Sequence, residues 1–344
     1  PKCAVLTHGQ MGFVLNNHVA DLMPGLSARD ASLVIAPLSH GAGLHLFVQV
    51  TQCATNVLMP DDRFDVATAC ALIEKHRVSN LFAVPTIIKR LVEDEAVAKH
   101  DLSSLKHVVY AGAPMYRADQ IKALDALGPV IVQYFGLGEV TGAITVLPAD
   151  EHDIDDAKMR VGSCGYPRTG MEVAILDSDG TRLGANQTGA IGVRGGAVFS
   201  GYLNNAEANA ESFVDGWFLT GDIGHLDEGG YLYLTGRKSD MYISGGSNIY
   251  PREVEEVILT HPDVDEVAIV GVPDRDWGEA GVAVIVGKVD VETLKPWIAQ
   301  RVARYKQPRD IFVWDALPKS GYGKVEKKTV RQMLFDQHLV PETV

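Results

Sequence analysis

The sequence predicts an α/β protein in two parts, a large multi-sheet α/β body and a small α+β C-terminal domain. Three textures predict it. Residues 66 to 147 alternate helix-period segments with short apolar runs, the pattern of βα units on a mostly parallel sheet. Residues 160 to 235 carry short β-type runs punctuated by Asp179-Gly180, Gly195-Gly196, Asp215-Gly216 and Gly229-Gly230, which suggest hairpins rather than crossovers. From about residue 240 helices and strands mix in a compact α+β pattern. The 344 residues suffice for two to three domains of ~100–200 residues.

Val66 to His76 places apolar residues at helical spacing and predicts a helix, and Val78 to Val84 then predicts a buried strand. Pro85-Thr86 opens a further helix, since proline suits the first helical turn. Val108-Val109-Tyr110-Ala111 predicts a strand ending in Gly112-Ala113-Pro114, and Val130 to Phe135 a strand ending in Gly136. Ligands of open α/β sheets bind beyond the carboxyl ends of the strands, where glycine lets them approach the backbone, so these two ends make one candidate crevice. Farther on, Pro251 starts a helix with Glu253, Glu255 and Glu256 in its first turns and His261-Pro262 at its end. Strands are expected at Glu266 to Val272, Val282 to Val286 and Ile311 to Trp314, with helices at Val291 to Arg304 and Val325 to Phe335.

With 46% hydrophobic and 22% charged residues, the composition is that of a globular protein, neither disordered nor fibrous. The formal charge of −13 argues against attraction to a phosphate polyanion, so nucleic acid is not an expected partner. The charge is uneven: residues 288 to 344 hold 11 Lys or Arg against 7 Asp or Glu, a locally basic tail on an acidic body. Cysteines 3, 53, 70 and 164 form no CxxC pair, which disfavours a disulfide framework or a zinc site and fits a reducing compartment. No run approaches the ~18 apolar residues of a membrane span, and no charged leader precedes an apolar stretch, so a cytoplasmic protein is expected. The chain begins at Pro1 without Met, from which an N-terminal truncation is expected.

The segments richest in chemistry are Trp217 to Asp222, Gly236-Arg237-Lys238-Ser239-Asp240, and Ser244-Gly245-Gly246-Ser247-Asn248-Ile249-Tyr250-Pro251. An aspartate on a glycine turn can accept both hydroxyls of a ribose, and Arg237 can donate in a fork to sugar or phosphate. Taken singly, Gly221-Asp222 is equally a turn and Arg237 a surface ion pair. Leu317-Pro318-Lys319-Ser320-Gly321-Tyr322-Gly323-Lys324 sets two glycines around a tyrosine before a lysine. It lacks the spacing and the final Ser or Thr of a P-loop, and is either a mobile loop with a reachable cation or one more solvated lysine. Gly136 to Gly142 follows a strand, but its third glycine is one place late for a dinucleotide fingerprint. Glu139 in that loop is either solvated or a ligand for Mg²⁺, which takes one or two carboxylates plus phosphate oxygens. Pro37 to Gly43 sets His40 against a substrate or merely turns the chain, and His40 with His45 forms no HExxH pair, which excludes a metalloprotease of that type.

The order of these segments, over nearly the whole chain, resembles the adenylate-forming enzyme superfamily: acyl-CoA synthetases, peptide-synthetase adenylation domains and firefly-type luciferases. The resemblance implies the remainder of a large multi-sheet αβ adenylation domain at residues 1–238 and a small hinged α+β C-terminal domain at residues 239–344. Pro1-Lys2 looks like the end of the family's Ser/Thr/Gly-rich phosphate loop. His40 would border the acyl pocket, with Leu44, Tyr134, Phe135 and Leu137 lining a space for a medium-sized aliphatic or aromatic acid. Gly112-Ala113-Pro114 would form one wall for adenine, and Tyr134-Phe135-Gly136 a second wall shared with the acyl group. Glu139 would hold magnesium, Asp222 and Arg237 the ribose. Ser239 would be the hinge, Gly246 with Gly245 would admit the pantetheine thiol of coenzyme A, and Lys324 would be the lysine of adenylate formation. Three positions depart from the family pattern: Gly138 stands where a Thr usually contacts the α-phosphate, Ser239 where Asp or Lys is usual, and Cys3 where a Gly is usual.

The implied activity is that of an AMP-forming acyl-CoA synthetase using ATP, Mg²⁺ and CoA on a carboxylic acid, with oligomeric state open, a homodimer included. The carboxylate and the α-phosphate are both anionic, and two unit charges about 4 Å apart repel by roughly 4 kcal/mol at an effective dielectric of ~20, so a cation is required between them. The later approach of the thiol requires that cation to withdraw, which a mobile C-terminal domain allows. An amino-acid-activating domain normally carries an Asp near the His40 motif, and Leu33 to Leu38 has no acid. That favours a free carboxylic acid; the alternatives are an amino-acid or aryl-acid adenylating domain, or a nucleotide-binding protein without turnover.

Overall fold

The computed structural model describes residues 2–61, 63–113, 115–319 and 325–342. The chain folds into two compact units, Pro1–Thr220 with Gly224–Leu234, and Gly221–Ile223 with Thr235–Val344.

The first unit begins with α1 (His8–Asp21), β1 (Ala31–Val34), α2 (Gly41–Thr51), β2 (Thr55–Leu58), α3 (Val66–His76), β3 (Asn80–Ala83) and α4 (Pro85–Glu93). It continues through β4 (His107–Tyr110), α5 (Arg117–Leu127), β5 (Ile131–Phe135), β6 (Thr145–Leu147) and β7 (Tyr166–Pro167). Helix α3 forms where the spacing predicts it. Val66, Ala69, Cys70 and Ile73 are its buried stripe, the Asp65 carboxylate accepts from the Thr68 N–H at its start, and Arg77 ends it at φ 47°. Pro85 stands in the first turn of α4, which buries Ile88 and Leu91. Strands β3 and β4 are buried almost throughout, which explains their nearly unbroken apolar runs. Leu81, Val108, Tyr110 and Ile131 share one core with Ile73 and Ile88, and each such aliphatic side chain contributes about 1.5–3 kcal/mol by leaving water.

The seven strands lie in the order β2-β1-β3-β4-β5-β6-β7. Strands β1 to β5 pair in parallel, and β6 and β7 add on antiparallel. After β1 the chain goes to β2 on one side and then to β3 on the other, so the order reverses between β1 and β3. That reversal is the topological switch point of a doubly wound sheet.

A second sheet runs β10-β11-β9-β8 with β12 paired to β11, from β8 (Met171–Leu176), β9 (Gly189–Gly195), β10 (Phe213–Val214), β11 (Trp217–Leu226) and β12 (Leu232–Arg237). Asp215-Gly216 is the two-residue turn joining β10 to β11, with both residues at positive φ, as a tight hairpin matched to strand twist requires. Gly229-Gly230 turns β11 into β12. Gly195-Gly196 departs from the hairpin expectation. It closes β9 under the Phe13 ring of α1, where a β-carbon on Gly196 would lie 2.6 Å from that ring. Helix α6 (Ala206–Ser212) falls inside the stretch that suggests only β-structure; the Asn205 side chain caps it.

The second unit holds β13 (Tyr242–Ser244), β14 (Ser247–Ile249), α7 (Pro251–Ile258), β15 (Val264–Asp274), β16 (Gly278–Gly287), α8 (Val291–Ala299), β17 (Asp310–Val313) and α9 (Lys327–Asp336). Its sheet runs β14-β13-β16-β15, with β17 parallel to β16. Alternate residues of β15 and β16 serve two cores. Val267, Ile269, Ala283 and Ile285 face α7 and α8, whereas Ala268, Val270, Val282 and Val284 face α9. Helix α8 stops at Ala299, five residues short of the expected Arg304; Arg301 and Val302 both donate to the Ile298 carbonyl and close its end there. Helix α7 likewise ends at Ile258, before His261-Pro262.

Candidate active site

Because β1, β3, β4 and β5 are parallel, the segments that follow them emerge along one edge of the sheet. These are the loop carrying His40 after β1, Val84-Pro85 after β3, Ala111-Gly112-Ala113 after β4 and Phe135-Gly136 after β5. Topology thus brings together, in the first unit, most of the residues that the sequence nominates for nucleotide and acid. Pro114 lies outside the described residues. Gly112 sits at φ 87°, a conformation that favours glycine.

His40 is the N-cap residue of α2, and its Nδ1 is 2.7 Å from the Ser39 hydroxyl. The next residue, Gly41, packs against two rings: a β-carbon there would lie 2.6 Å from Phe82 and 3.2 Å from the Tyr134 hydroxyl. Tyr134 belongs to the core of Phe82, Val132 and Val146, whereas Phe135 and Leu137 pack with Leu44, Val140 and Ile144. The two aromatic neighbours on β5 therefore serve different walls, as strand alternation demands.

Behind Tyr134 lies a buried polar cluster that sequence reasoning missed. The Arg168 guanidinium is almost completely buried; its Nη2 donates to His18 Nδ1 at 3.1 Å, and its Nε stands 3.8 Å from the Asp21 carboxylate. Burial, followed by the adjacent Arg168 charge, holds the His18 pKa well below the ordinary histidine value, so His18 is neutral. Burial likewise pushes the Tyr134 hydroxyl up to about 12, against the pull of Arg168. His45, buried on α2 with Nε2 2.8 Å from Asn80 Oδ1, is held at about 4, chiefly by burial. Spacing could not reveal this cluster, because its members come from α1, α2, β3 and the β7–β8 connection.

The loop after β5 is closed by its own backbone. Val140 and Gly142 donate to the Leu137 carbonyl and Thr141 donates to Gly138. Gly136 lies so close to Gly142 that a β-carbon on it would stand 2.3 Å from the Gly142 carbonyl carbon. Gly138 is exposed, with nothing within 4 Å of a β-carbon. Glu139 projects from this tight loop. Its Oε1 accepts from the Tyr202 hydroxyl at 2.7 Å, and its main-chain carbonyl accepts from the Phe199 N–H at 2.8 Å. Burial, then the bond to Glu139, pushes the Tyr202 hydroxyl up to about 12. The N-terminal segment is tied to the same place: Val5 donates to Gly201, Leu203 donates to Cys3, and the Lys2 ammonium lies 4.8 Å from the centroid of the Tyr202 ring.

This donor set suits a magnesium ion delivered with phosphates. The described residues hold no group of three or more His, Cys, Asp or Glu of the kind a resident structural metal needs. One carboxylate with a free-facing oxygen is what Mg²⁺ requires when triphosphate and water supply the rest.

In the second unit the Arg237 Nε donates to Asp222 Oδ1 at 3.1 Å, with Asp222 buried and Arg237 half exposed. The pair spans neighbouring strands β11 and β12. Ser239 is in the turn after β12, its hydroxyl 3.0 Å from Asp240 Oδ1. Gly245-Gly246 forms the two-residue turn between β13 and β14, at φ 56° and 81°, a conformation that favours glycine, and a β-carbon on Gly245 would lie 2.4 Å from the Trp277 ring. The Trp277 ring packs over Gly245, while Gly246 has open space around it. Lys324 lies outside the described residues.

The family model described as AMP-binding enzyme matches residues 1–203, and that of the AMP-binding enzyme C-terminal domain matches residues 253–324. The chain is 34% identical to a feruloyl-CoA synthase of an Amycolatopsis species, covering 96% of this chain and 67% of that protein. It is 36% identical to an indoleacetate–CoA ligase of Aromatoleum aromaticum, covering 100% of this chain and 66% of the relative. Among solved structures it resembles the o-succinylbenzoate coenzyme A synthetase of Bacillus subtilis in complex with ATP and magnesium ion, with TM-score 0.85, 32% identity, and coverage of 96% of this chain and 67% of that one. The amide bond synthetase McbA of Marinactinospora thermotolerans is similar at TM-score 0.89 and 32% identity, over 97% of this chain and 67% of that one. The chain spans about two thirds of the length of these relatives.

Proposed function

Since this chain belongs to the AMP-binding enzyme family, we propose that it activates a carboxylic acid with ATP as an acyl-adenylate and passes the acyl group to coenzyme A. The observation that carries this reading is the closed loop that holds the Glu139 carboxylate, with a hydroxyl donor on one oxygen, at the edge where the parallel strands end. The names of the relatives support it, and they cover both aromatic acids and fatty acids.

In this reading Gly112 and Ala113 with Pro114, and Tyr134 and Phe135 with Gly136, flank the adenine. Asp222 and Arg237 hold the ribose, the aspartate accepting from its hydroxyls. Glu139 would hold magnesium, which neutralises phosphate charge when bound. The acid enters beside His40, and Leu44, Phe135 and Leu137 supply its apolar surroundings. Its carboxylate oxygen attacks the α-phosphorus, the bond from that phosphorus to the bridging oxygen of pyrophosphate breaks, and the Lys324 ammonium stabilises the charge that gathers there. Gly138 has no hydroxyl to offer the α-phosphate, so a backbone N–H or a water takes the place of the usual threonine. In the second half the thiol of coenzyme A attacks the acyl carbon and AMP leaves. Gly246, with no side chain, leaves room for the pantetheine arm beside Gly245, and Ser239 is the hinge that lets Lys324 withdraw first. Among the described residues no helix is long and apolar enough to cross a membrane.

ATP–pyrophosphate exchange across a panel of aromatic and aliphatic carboxylic acids, followed by thioester detection with CoA, tests the proposal. Acid-dependent exchange and a thioester product are expected. ATP binding without acid-dependent exchange would select a nucleotide-binding protein without turnover, and exchange with no thioester would select an adenylating domain for another acceptor.

A further inference from the structure

We propose that Tyr202 is the positioning residue of Glu139: its hydroxyl fixes one carboxylate oxygen so that the other is presented to the magnesium ion that accompanies ATP. The inference rests on the reading of Glu139 as the magnesium ligand. Sixty-three residues separate the two, so the contact is a product of the fold and not of local sequence. A free glutamate side chain carries rotamer entropy, part of which a cation must otherwise remove on binding. A neutral phenol removes that freedom without cancelling the carboxylate charge, which a lysine or arginine in its place would do. The described residues give Glu139 no ion pair.

The phenol is itself held. Tyr202 is 7% exposed, and its ring meets Phe199 edge to face with centroids 4.7 Å apart. Its N–H donates to Asn209 Oδ1 at 2.6 Å, and its carbonyl accepts from Asn209 Nδ2 at 3.0 Å. Phe199, three residues earlier, donates its N–H to the Glu139 carbonyl, so one segment holds both backbone and side chain of the ligand. Donors to ligating carboxylates of this kind are worth about 10–100-fold in metal affinity.

The test is calorimetric titration of ATP into the chain over graded Mn²⁺ concentrations, with Mn²⁺ as the metal probe, for the unaltered chain, Tyr202→Phe, Glu139→Gln and the double variant. Tyr202→Phe keeps the ring and removes only the hydroxyl, with its bonds to Glu139 and Ser212. We expect it to weaken the metal dependence about 10–100-fold while leaving metal-free ATP affinity and the thermal midpoint unchanged. In the Glu139→Gln background the same change should have no further effect. Unchanged metal dependence in Tyr202→Phe, an equal effect in both backgrounds, or loss of its cooperative thermal transition would each overturn the inference. If Glu139→Gln leaves metal dependence intact, or the unaltered chain binds no Mn²⁺ with ATP, the reading of Glu139 itself falls.

Discussion

Gly136 shows how little freedom the residues of the site have. Its backbone touches the carbonyl of Gly142 so closely that no side chain fits. Gly136→Ala should cost about 1–3 kcal/mol through the forced shift of the loop, and adenylation should fall with it because Glu139 rides on that loop. Urea denaturation and pyrophosphate exchange measure the two effects; a stable variant with normal exchange would contradict the packing described. Lys324, outside the described residues, carries a prediction of charge alone. Lys324→Ala should lower acid-dependent exchange about 10²–10³-fold, by analogy with loss of one electrostatic stabiliser, yet spare thioester formation from a supplied acyl-adenylate. Equal loss in both halves would remove the role given to it.

At the scale of elements, the helix with a clear apolar stripe was the most legible. Val66–His76 was readable to the residue from that stripe alone, and the structure adds an aspartate cap at its start and a left-handed Arg77 at its end. Helix α1 is fixed in the same way by a capping box, in which the Thr7 hydroxyl accepts from the Gln10 N–H at 3.2 Å and the Gln10 side chain accepts from the Thr7 N–H at 2.6 Å. Thr7→Ala should therefore cost about 1 kcal/mol, seen as a lower denaturant midpoint at unchanged slope. Helix α6 was not legible, since seven residues with a single buried alanine carry almost no periodic signal. The Gly195-Gly196 turn was misjudged for a related reason: glycine there answers to the Phe13 ring, which is remote in sequence.

At the scale of the molecule, acid sensitivity should be concentrated in the first unit. His18, His45 and His152 are all buried there, and burial holds each below the ordinary histidine value, His45 and His152 at about 4. Their folded values lie beneath the unfolded one, so the unfolded chain takes up protons first. The stability they allow is complete above about pH 6.5 and is lost progressively toward pH 4, on the order of 2 kcal/mol for each of His45 and His152 at pH 5. Denaturation followed at pH 7 and pH 5 should show the first unit weakening; equal stability at both would refute it. Ser239→Pro, which fixes the backbone at the assigned hinge, should selectively remove the CoA half-reaction, and unchanged overall turnover would refute the hinge.

The sequence by itself determined the α/β class, the strand ends at Gly112 and Gly136, the hairpin turns at Asp215-Gly216 and Gly229-Gly230 and the family, because each depends on local backbone chemistry or on the order of motifs along the chain. Tertiary structure alone decided which strand ends share an edge, that Arg168 meets His18, and that Tyr202 meets Glu139. Those outcomes are contacts between residues far apart in the chain, and no short-range periodicity encodes them.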